Sequence, residues 1–99
     1  MIGLPDIDSE LIARAKKKDE EAIADIIHQI DKRCYSIVFQ CLNENIRHVE
    51  EIEDIVQDAY IKAFTSLDKL KDDNNFAPWM YTILERTLID YTRSSLAKN

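Results

Sequence analysis

The sequence has very little glycine and proline, with one glycine and two prolines in 99 residues. β-Sandwiches and barrels need frequent turn residues, so this scarcity favours long uninterrupted helices. The chain also has no run of about 18 apolar residues, and neither a membrane-spanning helix nor a signal peptide is expected. At this length there is material for one hydrophobic core. We therefore predict a single all-α domain that works in the cytoplasm, without membrane insertion.

Cysteine is scarce as well, and the two that occur, Cys34 and Cys41, are seven residues apart. On one helix this spacing separates their Cα atoms by about 10 Å, beyond the roughly 7 Å limit for a disulfide. Two thiols without a surrounding group of histidines also make no zinc site. We expect free thiols, and no metal or cofactor.

Basic residues are outnumbered by acidic ones, which gives a net charge of −6. Nonspecific binding to nucleic acid requires clustered lysine and arginine, so the total charge opposes it. The acidity is local, because residues 43–58 carry six acids and one base, whereas residues 59–99 carry five acids and six bases. One segment in the middle of the chain therefore dominates the charge.

Apolar residues recur every three or four positions and predict a compact bundle of about four helices. The first helix begins after an acidic cap at Asp8 and ends near Lys18, and the second begins at residues 19–21. Residues 43–45 interrupt the pattern, and a third helix of roughly 20 residues follows. The predicted buried positions are Ile23, Ile27, Ile30, Cys34, Ile37 and Cys41 in the second helix and Val49, Ile52, Val56, Ala59, Ala63 and Leu67 in the third.

The fourth helix is predicted to begin at Asn75, whose side chain can cap it, with Pro78 harmless in the first turn. Its expected buried face consists of Trp79, Ile83, Leu84, Leu88 and Tyr91. From Ser94 onward the apolar pattern is lost, so we expect the tail to fray. The expected organisation is an N-terminal arm over residues 1–7, a helical domain over 8–95, and the start of a linker or a frayed tail over 96–99.

Opposite its apolar face, the third helix carries Asp54, Gln57, Asp58 and Ile61 at helical spacing. Periodicity alone is compatible with an ordinary solvated face. A metal site is the other candidate, since Glu50, Glu53, Asp54 and Asp58 could supply oxygen ligands. A di-iron site would also need histidines at helical spacing, and none is present in this pattern.

The polar loop over residues 70–75 leads into aromatic residues at the start of the fourth helix. Such loops can receive an extruded base, because aromatic rings stack on bases and asparagine pairs with their edges. From the sequence alone, the core-anchor interpretation of Phe76 and Trp79 is favoured over base contact. The serines have no pattern of base partners that would indicate a hydrolase triad.

Four segments in order, SELIARAKKKDEEAI (9–23), EDIVQDAYIKAF (53–64), NFAPWMYTI (75–83) and IDY (89–91), resemble region 2 of bacterial sigma factors of the sigma-70 family. The similarity is greatest to the extracytoplasmic-function group and extends over roughly residues 8–95. It implies a helical domain that docks on the clamp coiled coil of the RNA polymerase largest subunit and captures the promoter −10 element as single-stranded DNA.

Carried onto this chain, the resemblance implies polymerase contacts at Asp54, Gln57, Asp58 and Ile61 and DNA contacts at Lys71, Asn74, Asn75, Phe76, Trp79 and Arg86. An acidic face meeting a basic coiled coil would steer encounter and fix register. Glu85-Arg86 stands where the family usually has Arg-Asn, so a guanidinium replaces an amide often used to read a base. The family's basic run at the end of this helix is replaced by Thr92-Arg93-Ser94-Ser95, which removes phosphate contacts, and Asp72-Asp73 adds an acid to the loop.

The family's helix-turn-helix region, which reads the −35 element, has no counterpart in the sequence. We expect this function on the same full-length chain or on a separate subunit. A second hypothesis keeps the fold but makes it a protein-binding module, such as a decoy for an anti-sigma factor. A third makes it a small metal protein or enzyme that uses the acidic cluster.

Overall fold

The computed structural model describes the backbone of residues 3–42 and 49–97 and the side chains of residues 3–41 and 50–93. Four helices fill these ranges: α1 (Ser9–Lys16), α2 (Glu20–Leu42), α3 (Val49–Thr65) and α4 (Phe76–Ala97). Two 3-10 turns, Leu67–Lys69 and Asp73–Asn75, lie between α3 and α4. The described ranges contain no strand, so the all-α prediction is confirmed. The break predicted at residues 43–45 lies outside them.

The junction between α1 and α2 is a tight reversal built on backbone hydrogen bonds. The N–H of Lys18 donates to the carbonyl of Ala15, and that of Asp19 donates to the carbonyl of Arg14, which is the Schellman pattern. Lys18 occupies the left-handed position that this motif requires, with φ 68°. Asp19 then caps α2 by accepting from the N–H groups of Glu21 and Ala22 at 3.1 and 3.3 Å.

Arg14 also binds Asp19 through its side chain, with 2.9 Å between Nε and Oδ2. This hydrogen bond is the largest cause of a lowered pKa at Asp19, and the backbone N–H of Ala22 adds to it. One carboxylate therefore links the end of α1 to the start of α2. The acidic cap predicted at Asp8 is present too, since its side chain accepts from the Glu10 N–H.

The buried face of α2 differs from the predicted one. Cys41 was expected to be buried and is exposed, while Ile23 and Ile27 are half-buried. The predicted positions Ile30, Cys34 and Ile37 are buried, whereas in the first turns of the helix Ala22 and Ile26 are buried in place of Ile23 and Ile27. The fully buried residues of α2 are Ala22, Ile26, Ile30, Cys34, Ile37 and Val38.

Helix α3 packs against both α2 and α4 and supplies the centre of the core. It ends at Thr65, so Leu67 is buried from the following 3-10 turn rather than from α3 as predicted. The predicted positions Ile52, Val56, Ala59 and Ala63 are buried; the side chain of Val49 lies outside the described residues. The hydroxyl of Tyr60 donates to Asp31 of α2 at 2.5 Å.

Two of the five positions predicted for the buried face of α4, Leu84 and Leu88, are buried. Trp79, Ile83 and Tyr91 only pack partly against the core. Phe76 and Met80 fill the centre, and buried Thr87 satisfies its hydroxyl on the carbonyl of Ile83 at 2.7 Å. The helix continues to Ala97 instead of fraying from Ser94.

The segment before α1 lies against the bundle. Arg33 of α2 donates to the carbonyl of Gly3 at 2.6 Å, and Ile7 is buried. Gly3, Leu4 and Asp6 line one cleft with the first turns of α4. Among the described residues, no helix is long and apolar enough to cross a membrane.

Both cysteines are free, as predicted, with Cys34 buried and Cys41 exposed. Burial raises the pKa of the Cys34 thiol to about 11. Because the thiolate is the reactive form, Cys34 is chemically inert in the folded domain.

Candidate functional site

The outer surface of α3 carries the four residues Asp54, Gln57, Asp58 and Ile61, which we call the docking face. All four are exposed, whereas the opposite side of the same helix is buried in the core. The helix contains five acids and one base, so this surface is strongly negative. The structure thus brings together on one face the residues that the sequence assigned to polymerase contact.

Charges on the docking face are only weakly neutralised from within the domain. Asp58 meets Lys62 one turn later at 3.2 Å, with 53% and 44% of the two side chains exposed. Exposed pairs of this kind contribute about 0–1 kcal/mol, so a partner's cation can compete for Asp58. The pKa of Tyr91 in α4 is raised by burial and then by the negative charges of Glu51 and Asp54, which places α4 along one border of this face.

Two large apolar side chains are exposed on α3 and α2. Ile61 is 64% exposed within the docking face, and Phe39 of α2 is 68% exposed. Phe39 lines a shallow depression with Tyr35 and Ile52, on the α2 side of α3. Exposed apolar groups rimmed by charge are typical of protein interfaces. The exposure of Phe39 was not predicted, although its position off the buried stripe of α2 indicates an outward-facing side chain.

The second candidate surface is the connecting segment, residues 66–75, together with the outward side of α4. Leu67 and Leu70 are 2% and 4% exposed and fix the first part of the segment to the core. Asp72 caps the second 3-10 turn by accepting from the Asn74 N–H at 3.0 Å. Asn75, the predicted cap of α4, is the residue directly before that helix.

Lys16 of α1 reaches the same segment. Its ammonium donates to the carbonyl of Leu70 at 2.5 Å and pairs with Oδ1 of Asp73 at 2.5 Å. Asp72 and Asp73, which the sequence presents as two adjacent acids, thus each have a structural partner.

Most residues predicted to contact DNA are accessible. Lys71, Asn74, Asn75 and Arg86 are exposed, and Trp79 is half-buried. Asn75, Trp79 and Arg86 are spaced by four and seven residues, which places them along one side of α4 and the turn that precedes it.

The predicted DNA contact at Phe76 is not supported. The ring of Phe76 is 1% exposed and cannot stack on a base in this structure. It packs on Trp79, with ring centroids 6.0 Å apart and an interplanar angle of 44°. The aromatic pair therefore has one member in the core and one at the surface, and the buried ring of Phe76 packs against the core-facing side of Trp79. The core-anchor interpretation of Phe76 is the one the structure supports.

The acidic cluster gives no sign of a metal centre. Within the described ranges, no group of three or more histidine, cysteine, aspartate or glutamate side chains is arranged to hold an ion. His28 is exposed on α2. His48 lies outside the described residues.

The arrangement as a whole defines a class of protein: an all-α domain with an acidic face on one helix and a polar loop beside an aromatic helix start. Comparison with known sequences then identifies the family. The Sigma-70 region 2 family matches residues 26–96, which is most of the chain. The chain belongs to the sigma-70 region 2 family.

Individual relatives agree with this. The chain is 33% identical over 82 residues to the ECF RNA polymerase sigma factor SigW of Bacillus subtilis. The aligned region covers 83% of this chain and 42% of the relative. It is 29% identical over 84 residues to the ECF RNA polymerase sigma-E factor of Escherichia coli K12, covering 85% and 41% respectively. The chain thus spans about two fifths of the length of these relatives. The comparison with solved structures gives no match.

Proposed function

We propose that this chain is the part of a sigma factor that docks on the clamp coiled coil of the RNA polymerase largest subunit and recognises the promoter −10 element. It would do so in the cytoplasm, by binding alone, without a catalytic step. The observation that carries the proposal is the docking face: Asp54, Gln57, Asp58 and Ile61 are all exposed on one side of α3. The family membership supplies the kind of partner.

The charge and shape of the docking face suit a basic helical partner. Negative residues steer a positively charged coiled coil into contact and penalise wrong partners. Ile61 adds an apolar contact at the C-terminal end of the polar group, and apolar area covered by a partner stabilises the complex. Full burial of an isoleucine side chain contributes about 1.5–3 kcal/mol, so covering Ile61, which is 64% exposed, would stabilise the complex by about 1–2 kcal/mol.

The test is a binding measurement with a charge reversal in the docking face. Asp58→Lys should abolish binding to an isolated clamp coiled coil, because it places two lysines together and repels the basic partner. Asp68→Lys is the matched control, since Asp68 is an exposed acid in the 3-10 turn after α3 and makes the same change in net charge. Unchanged affinity in Asp58→Lys, with circular dichroism showing both variants folded, would rule out docking through this face.

For the DNA, we propose that Lys71, Asn74, Asn75, Trp79 and Arg86 contact the unpaired −10 strand. Contacts with base faces and pairing edges form only when the bases are unpaired, so the free energy of those contacts is linked to opening of the duplex. Stacking contributes about 1–3 kcal/mol per base, against about 1.4 kcal/mol per base-pair step. A few contacts at this surface are therefore sufficient to favour the melted form.

Arg86 is the residue through which sequence preference can be tested. It is exposed on α4, two turns after Trp79, and no hydrogen bond or ion pair with a described side chain holds it. We expect Arg86→Ala to change which sequences the chain enriches from a random single-stranded DNA pool, with little change in thermal stability. The same sequences enriched by both proteins, or a large loss of stability in the variant, would contradict a reading role for Arg86.

A second candidate function is a sigma-like module that acts through an anti-sigma factor or a partner subunit. The observation that favours it is the charge of α4, whose two acids and two bases give no net positive charge for phosphate. In either case the −35-reading function lies on the same full-length chain or on a separate subunit. If the chain, in complex with polymerase, enriched a specific single-stranded sequence, that result would count against this second candidate function.

A further inference from the structure

Lys16 adds a polar link between α1 and the connecting segment, which also pack against each other through the core. Its ammonium contacts the carbonyl of Leu70 and the carboxylate of Asp73, each at 2.5 Å. Leu70 follows the first 3-10 turn and Asp73 begins the second, so a single side chain of α1 holds the middle of the connecting segment at two points. Lys16 lies before the range matched by the family, residues 26–96, whereas Leu70 and Asp73 lie within it.

The contact is more shielded than the other ion pairs of the domain. Lys16 and Asp73 have 25% and 29% of their side chains exposed, compared with 44% and 53% for the pair of Lys62 and Asp58. The Oδ1 atom of Asp73 is itself out of contact with solvent, and Lys16 is the cation that faces it. Removing this ammonium would leave a buried charged oxygen without compensation, which costs more than the loss of a surface pair.

We propose that Lys16 is a positioning residue for the DNA-binding loop, an inference that rests on the proposed −10 recognition. Each of its two contacts lies one residue before an exposed candidate for DNA contact: Leu70 before Lys71, and Asp73 before Asn74. Holding the backbone carbonyl of Leu70 and the side-chain carboxylate of Asp73 restricts where the side chains of Lys71 and Asn74 project. Lys16 acts through the loop and does not itself contact DNA.

This role is separable from folding because the ends of the segment have their own anchors. Leu67, Leu70 and Phe76 are at most 4% exposed and tie both ends of the segment to the core. Without Lys16, those apolar contacts remain and the stretch between Leu70 and Phe76 loses its tether. The predicted consequence is a looser loop on an intact bundle.

The experiment compares Lys16→Met, which keeps the aliphatic stem and helix propensity, with Lys16→Arg, which restores a donor and the charge. Lys17→Met is the control, because Lys17 is exposed beside it and gives the same change in net charge. Trp79 is the only tryptophan of the sequence and lies beside the loop, so iodide quenching of its fluorescence reports the state of the loop. Affinities are measured for the clamp coiled coil and for the single strand that the wild-type chain enriches from a random pool.

We expect Lys16→Met to weaken binding to the single strand roughly five- to tenfold and to increase quenching of Trp79, while clamp affinity stays within about twofold. Lys16→Arg should recover most of the affinity, and Lys17→Met should match the wild type. Equal DNA affinity in Lys16→Met and wild type would overturn the proposal, as would a parallel loss of clamp binding and thermal stability. A wild-type chain that enriches no single strand would instead overturn the −10 proposal on which this one rests.

Discussion

Replacement of Lys18 by glycine should stabilise the domain, although glycine usually weakens helical proteins. Lys18 has φ 68°, where a side chain costs roughly 1–2 kcal/mol and glycine costs little. Glycine also increases the entropy of the unfolded chain, which offsets about 0.5–1 kcal/mol of this gain. The net expectation is a free energy of unfolding higher by about 0.5–1 kcal/mol and a melting temperature higher by about 2–8 °C.

Lys17→Gly is the matched control, since it removes the same charge one residue earlier at φ −89°. There glycine relieves no strain and destabilises by about 0.5–1 kcal/mol. The two variants should therefore differ by about 1–2 kcal/mol in urea or thermal denaturation, with any effect of lost charge on the dipole of α1 common to both. If Lys18→Gly were no more stable than Lys17→Gly, the Schellman junction would not be the feature that fixes this turn.

Three other perturbations test the core, the junction and the thiols. In thermal denaturation, Phe76→Ala should lower the free energy of unfolding by about 3–5 kcal/mol, because the ring is 1% exposed. A loss below about 1 kcal/mol would contradict the role of Phe76 as a core anchor. The pKa of Asp19 is lowered from 3.8, so its stabilisation is present above that pH and is lost as the pH falls through the folded-state pKa. The wild type should lose more stability than Asp19→Asn between neutral pH and about pH 2. With a thiol reagent at neutral pH, Cys41 should react in the native domain and Cys34 only on unfolding.

The helices were predictable because their signals are local. Apolar spacing, Asp8, and the acids at residues 19–21 set the order of the helices and the start of α1 and α2. The exact stripe that α2 buries was not predictable, because Ala22 and Ile26 compete with Ile23 and Ile27 on adjacent lines of the same helix. Contacts with α1 and α3 decide between them, and those depend on the assembled bundle.

The two parts of the candidate site also differ in how far a local sequence pattern predicts them. The docking face follows from one amphipathic helix, so the exposure of Asp54, Gln57 and Asp58 was predictable from spacing alone. The link from Lys16 to the carbonyl of Leu70 joins residues 54 positions apart, and no local pattern indicates it. Long-range polar contacts of this type cannot be predicted from the local sequence pattern.

These partners also change how the acidity of the chain bears on DNA contact. From the sequence, Asp72 and Asp73 add repulsion near a phosphate path. In the structure, Asp72 accepts the N–H of Asn74 and Asp73 faces the Lys16 ammonium, so both acids are engaged in shaping the loop. A cation 2.5 Å from Asp73 cancels most of its field at the distance of a phosphate. The uncompensated negative charge is instead concentrated on α3, where a protein partner can use it. With five acids and one base, the docking helix carries −4 of the net charge of −6, so most of this charge does not argue against a single strand at Lys71.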